Sequence, residues 1–280
     1  MQRFGYSAAL CAAGLVTAAL SGRNHGLAAS DGNGSGGSTQ HECCAVLELR
    51  QYTQKPGQRD AMIALFDRHF VESQEAVGMT IVGQFRDRRW PDRFVWIRGF
   101  SDMQSRHAAL ERFYGGPVWA EHKAAANSTM LDVSDVRLLK PARSDTGFRL
   151  SVTNRPAVGE DRSAVGEDRS AVTVIAGIHQ LRQPADASIV SQFEGRAIPL
   201  LRREGVRVES VFVTESAANT FARLPVREGE VLVWFGTLQR DEMPSLQRLE
   251  AATAAILGAV ADGPPEFLEL EPTARSLLGR

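Results

Sequence analysis

The sequence predicts an α+β fold made from two tandem copies of one β-α-β-β-α-β unit. Three observations carry this. A strand at Val46–Tyr52 runs through Pro56-Gly57 into an amphipathic helix. The elements that follow keep the split βαβ order. The whole order then recurs in the second half of the chain, and a repeat of about a hundred residues means two copies of one domain rather than a solenoid.

In the first copy, Ala45–Thr53 reads as a strand. Gly57–Val77 reads as a helix, with Met62, Leu65, Phe66, His69 and Phe70 on one face. Gly78 ends it, as a residue tolerant of positive φ should. Met79–Arg86 and Arg93–Phe100 are strands around the turn Arg88–Asp92. Asp102 can cap a second helix carrying Leu110, Phe113 and Tyr114, and Met130–Leu139 is the fourth strand. In the second copy, Val172–Arg182, Val206–Glu215, Glu230–Leu238 and Glu266–Glu271 are strands. Ala185–Arg203 and Glu242–Val260 are helices. Gly78 matches Gly205, Phe85 matches Phe212, Trp96 matches Trp234, and Asp102 matches Asp241.

The expected organisation is a signal-like or disordered extension over 1–40, a first domain over 41–140, a linker over 141–170 and a second domain over 171–280. The extension has an apolar, Ala-rich stretch from Tyr6 to Leu20 and small residues at Gly26-Leu27-Ala28, the outline of a secretory signal. The expectation is a cytoplasmic protein, with export through that segment as the alternative. An over-long start would give the same residues. The linker repeats Ala157–Ser163 unchanged as Ala164–Ser170, with few apolar anchors.

Composition excludes several classes. With 43% hydrophobic residues, 23% charged and a net charge of −1, the chain has the balance of an ordinary globular protein and no basic field for nucleic acid. No apolar run reaches the ~20 residues of a membrane-spanning helix. Three cysteines make no disulfide framework. Cys43 and Cys44 are neighbours, where a bridge is strained, and they read as a thiol pair without chemistry. His41-Glu42-Cys43-Cys44 matches no usual zinc spacing, and neither a metal nor a cofactor is expected. No phosphate loop or nucleophile elbow is present.

A ferredoxin-like sheet carries helices on one face only. Two such units can join their open faces and close eight strands into one α/β barrel with helices outside. Alternation puts Glu48, Arg50 and Tyr52 on one face of the first strand and Leu47 and Leu49 on the other. The polar triplet is expected to line the barrel lumen, with the two leucines beneath the helices. The second copy places Gly177, His179 and Leu181 at the aligned positions, so the triplet occurs once.

Glu48-Leu49-Arg50-Gln51-Tyr52, followed by Lys55-Pro56-Gly57, resembles the start of the NIPSNAP family domain. So does the run Asp102, Arg106, Phe113, Pro117-Val118-Trp119. Asn219–Gly229 looks like the segment before the third strand in bacterial two-domain members. The resemblance implies the dimeric α/β-barrel superfamily, which holds cofactor-independent monooxygenases, haem-degrading enzymes, isomerases and stress proteins. It implies no reaction and no catalytic residues, because the family has neither agreed.

The leading expectation is a small organic ligand in the lumen, held by Glu48, Arg50, Tyr52 and His179, and an enzyme that needs no cofactor is one form of it. His179 would stand across from Glu48 as a base. His69, Arg106 and Trp119 are secondary candidates, read mainly as core or bracing residues. The rival is a non-catalytic interaction or stress-related module with a packed barrel. A homo-oligomer fits either.

Overall fold

The computed structural model describes residues 40–151, 155–159, 172–239 and 244–279. Residues 1–39 of the N-terminal extension, the second copy of the heptapeptide and Asp241 lie outside them.

Eight strands close one antiparallel barrel. The first half supplies β2 (Val46–Gln54), β3 (Thr80–Asp87), β4 (Arg93–Phe100) and β5 (Met130–Pro141). The second supplies β7 (Val172–Leu181), β8 (Arg207–Thr214), β9 (Glu230–Gln239) and β10 (Glu266–Pro272). Around the barrel the order is β10-β3-β4-β2-β5-β8-β9-β7. Each half keeps the ferredoxin-like order. The halves join where β5 meets β8 and β10 meets β3. The α+β barrel of two sheet-to-sheet units is therefore the observed fold.

The helices cover the outside. In the first half, α1 (Arg59–Leu65) and α2 (Val71–Glu75) are one rod interrupted by a π-helical turn at Phe66–Phe70. In the second, α5 (Ala187–Gln192) and α6 (Ile198–Arg203) flank an equivalent turn at Phe193–Ala197. Gly78 and Gly205, each with positive φ, end the two rods. A π turn keeps helical periodicity nearly intact, so apolar spacing reads through it. The expected second helix of the first half is two helices, α3 (Met103–Tyr114) and α4 (Pro117–Thr129), with Pro117 opening α4. In the second half, α7 (Leu246–Leu257) is capped by Ser245.

The expectation about the two faces of β2 is reversed. Leu47 and Leu49 point into the barrel with Val82, Phe85, Val95 and Ile97, and side chains from the second half fill the rest of that interior. Val46 and Tyr52 pack beneath the first half's helices. Glu48 and Arg50, in the same alternation, share that outer face. Strand period says which residues share a face but not which face the helices cover. The second half is built the same way, with Ile178 inside and Ile175 and Leu181 under the helices.

Both mouths of the barrel are plugged. At one, Phe148 packs on Phe212 and Phe235, with ring centroids 4.8 and 5.1 Å away. Phe148 belongs to the segment expected to be linker. That segment also forms β6 (Arg149–Ser151), which pairs with β1 (Gln40–Glu42). At the other mouth, Arg93 bonds Gln51 and Glu266, both at 3.1 Å, and reaches Asp87 at 3.4 Å. Burial raises the Asp87 carboxyl above its ordinary range.

Deleting the ring of a plug residue tests the filled interior. Phe235→Ala is expected to lower unfolding stability by about 3–5 kcal/mol in urea denaturation, the range for truncating a well-packed aromatic.

Candidate functional site

Glu48 is the centre of the outer face of the first half. It is fully buried, and its neighbours are three buried guanidiniums. Arg50 lies two residues along β2 and donates to Oε2. Arg98 lies directly across on β4, in register with Glu48, and donates to the same oxygen at 2.7 Å. Arg106 comes from α3 and donates to Oε1 at 2.7 Å. Asp102 positions Arg106. It caps α3 by accepting from Ser105 N at 2.6 Å, which sets where the first turn begins.

Burial alone would push the Glu48 carboxyl up. Arg98, Arg50 and Arg106 overcome that, and the group is held well below the usual carboxylate range. Arg106 is lowered, chiefly by burial, against the pull of Glu48. One carboxylate therefore faces three cations, and the cluster has two positive charges in excess. Aromatic faces soften this excess without neutralising it. The Arg50 guanidinium carbon lies 5.3 Å from the Trp96 ring, and that of Arg98 lies 5.1 Å from it and 5.8 Å from Tyr114. Gln74 and Asn219 accept from Arg98 and Arg106 but bring no charge. Arg98 and Arg106 each also bring Nη2 to 2.7 Å from Glu48 without completing a hydrogen bond there. A cation in the first turn of α3 adds to the positive end of the helix dipole.

A second set of polar groups lies beside this cluster. Across the sheet, Gln84, Trp96 and Arg50 stand in one register row on the helix side. Trp96 Nε1 and both side-chain heteroatoms of Gln84 are buried and complete no hydrogen bond. Asp67, in the π turn above, has an unpartnered Oδ1. Burial raises its carboxyl to about 6, although Arg275 and the nearby Gln84 amide favour the charged form. The matching Trp234 donates to His179 Nε2 at 3.1 Å. The second half thus satisfies its indole, and the first does not.

The cluster is roofed from the other half. The loop over residues 215–229, between β8 and β9, crosses onto α3. Asn219 accepts from Arg106 at 2.9 Å, Phe221 stacks on Tyr114 at 5.8 Å, and Arg227 ties down to Asp135 at 2.9 Å.

Several sequence expectations change here. Glu48, Arg50 and Tyr52 do come together, with Arg50 donating to the Tyr52 hydroxyl at 2.8 Å, but beneath the helices rather than in the lumen. Burial, with Tyr114 nearby, pushes Tyr52 up to about 12 against the pull of Arg50 and Arg98. His179 does not face Glu48. It lies under the second half's helices, and burial pulls it down to about 4. Its Nε2 already accepts from Trp234, so it is neutral and is no general base. The match of His179 to Arg50 is also displaced. Arg50 pairs with Trp96 and Gly177 pairs with Trp234, so His179 is the counterpart of Tyr52. A shift of two keeps every residue on its face, so alternation cannot detect it. Gly177 is required there, because a Cβ would run into the Trp234 indole.

Of the secondary candidates, Arg106 is the one in the site. His69 stacks on His122 at 3.7 Å, at the contact of the π turn with α4. Trp119 lies in α4 against Phe70, Phe113 and Tyr114. Sequence reasoning missed Arg98, Gln74, Asp67, Gln84 and Asn219. Arg98 had a signal, since it interrupts the apolar face of Phe94, Trp96 and Phe100. Among the described residues no group of three or more potential ligands could hold a metal. No described helix is long and apolar enough to cross a membrane.

The NIPSNAP family model matches residues 47–144. These residues form a NIPSNAP domain. They span β2 to the end of β5, the half that holds the Glu48 cluster. A NIPSNAP family protein of unknown function from Agrobacterium tumefaciens is 23% identical over 39% of this chain and 97% of its own, with a TM-score of 0.35. An uncharacterised NIPSNAP domain protein from Burkholderia xenovorans is 16% identical over 35% of this chain and 96% of its own, with a TM-score of 0.33. An anthrone oxidase-like protein is 11% identical over 81% of this chain and 91% of its own, with a TM-score of 0.50, a likeness of fold. None of the curated proteins compared with the chain matches it.

Two substitutions test the electrostatics of the NIPSNAP half. Glu48→Gln leaves three buried cations without a counter-charge and is expected to cost about 3–5 kcal/mol in denaturant unfolding. Asp67 behaves oppositely. Its folded pKa is raised, so the folded state binds the proton more tightly and stability falls as pH rises from near 4 through about 6. Asp67→Asn is expected to raise Tm by about 2–4 °C at pH 7, equivalent to about 1 kcal/mol for a partly screened group, and to change it little at pH 4. Melting curves at both pH values check this.

Proposed function

We propose that the NIPSNAP half binds a small organic anion between its sheet and its helices. The surplus of two guanidinium charges around Glu48 is the observation that supports this reading. Uncompensated charge in a buried site is costly, and a bound carboxylate or phosphate would offset it. Arg98 and Arg106 are the natural holders of the anion, since each is planar and presents several donors. Trp96, Tyr52 and Tyr114 would face the organic part of the ligand. Glu48 fixes the three guanidiniums and, being held ionised, moves no proton. The loop over residues 215–229 must lift to admit the ligand.

The lumen does not serve this role, because apolar side chains fill it. That same filling favours a second reading, a scaffold that works through its outer surface. Leu131 and Val133, exposed on the overhanging start of β5, would belong to such a surface.

Thermal-shift measurements with benzoate and its neutral isostere benzamide separate the two. The anion-binding reading predicts a Tm rise of ~3 °C with excess benzoate, little change with benzamide, and loss of the benzoate effect in Arg106→Gln. Equal responses to both compounds, or to neither, would contradict it.

A further inference from the structure

Cys43 and Cys44 are bridged to each other where β1 passes into β2. The bridge stands at the mouth of the barrel closed by Phe148, whose carbonyl accepts from Cys43 N at 2.8 Å. It opens onto a surface groove of about 770 Å³, whose other walls include Ser101, Asp102, Lys140 and Glu215. None of Glu48, Arg50, Arg98 and Arg106 lines this groove, and the inference does not rest on the function proposed above.

Holding the fold together does not explain this disulfide. A cross-link stabilises mainly by shortening the loops open to the unfolded chain, and its effect grows with the loop it closes. Neighbouring cysteines close the shortest loop there is. The local structure is nonetheless shaped around the pair. Cys44 has φ of 63°, and it is the one non-glycine among the described residues in the left-handed region. Gly99 on β4 faces it, and a Cβ at that position would collide with the Cys44 sulfur. The chain thus accepts an uncommon backbone conformation and a glycine in mid-strand to keep a bridge of little value as a staple.

We propose that Cys43–Cys44 is a thiol-exchange site that reacts with small-molecule thiols entering from the groove. A thiolate attacks one sulfur of the bridge. The S–S bond breaks, the other cysteine leaves as thiolate and takes up a proton, and a mixed disulfide remains. A second thiol molecule attacks that mixed disulfide and releases the first cysteine. Two thiols are oxidised to their disulfide, and the protein bridge gains two electrons and two protons. The reduced form presents adjacent thiols at the groove floor.

The test uses the full folded chain, 2-mercaptoethanol as the thiol, alkylation with iodoacetamide, and mass analysis of the tryptic peptide ending at Arg50, which holds both cysteines. Before treatment the peptide should be unalkylated and lighter by two hydrogens. After treatment without denaturant it should carry an alkyl group on each cysteine, with the melting temperature nearly unchanged. Cys44→Ser has no bridge, and when offered 2-hydroxyethyl disulfide its Cys43 should take a mercaptoethanol adduct and release one mercaptoethanol. Narrowing the groove with Ser101→Trp should slow reduction about tenfold, because exchange rates follow access. Full alkylation of the air-exposed protein without any thiol would overturn the proposal, since no bridge would exist. Reduction only after urea is added, or at the same rate in Ser101→Trp, would overturn the groove as the site of exchange.

Discussion

One buried carboxylate organises the first half of this protein. Glu48 draws Arg50 along its own strand, Arg98 across the sheet and Arg106 down from α3, and so ties two strands and a helix to a single point. No other described contact joins those elements through charge. The arrangement is costly by itself, because four charges are removed from water and only one is negative. It is tolerated because the guanidiniums lie on aromatic faces and because Gln74 and Asn219 take further donors. Asn219 belongs to the loop from the second half, so the roof over the cluster depends on the barrel being closed within one chain.

The two halves use one fold for different ends. The row that holds Arg50, Trp96 and Gln84 in the first half holds Gly177 and Trp234 in the second. There the indole swings over a glycine and donates to His179. Both halves keep the π turn, the positive-φ glycine at the rod's end and a bulge early in the second strand. These shared features therefore serve the fold. What differs is the polar content of the layer between sheet and helices, which in the second half is apolar and satisfied. The polar asymmetry lies in that layer, and the barrel interior is a common apolar core for both halves.

Much of the fold was legible in the sequence. Strand alternation, helix spacing, Asp102 as a cap and the recurrence of the element order lead to the tandem barrel. The NIPSNAP resemblance agrees with the family match over the first half. The site was half legible. Alternation groups Glu48, Arg50 and Tyr52, but the side on which helices pack is a tertiary outcome, and a period of two is blind to it. The displaced match of His179 has the same origin. Arg98, Asp67 and Asn219 are distant in sequence from Glu48, and only register and the loop from the second half bring them near. The π turn also eluded periodicity, because one extra residue in a turn shifts the apolar stripe by less than a helix face. Phe148 lies in a segment whose composition reads as linker, and its burial follows from the pairing of β6 with β1.

The anion site proposed for the first half lies between sheet and helices, around the surplus positive charge of the Glu48 cluster. Anomalous diffraction from crystals soaked in a bromine-labelled benzoate tests it most directly. A bromine peak is expected on the helix side of β2 and β4, with the carboxylate against Arg98 and Arg106. A peak inside the barrel, or anion density in the second half and none in the first, would contradict it.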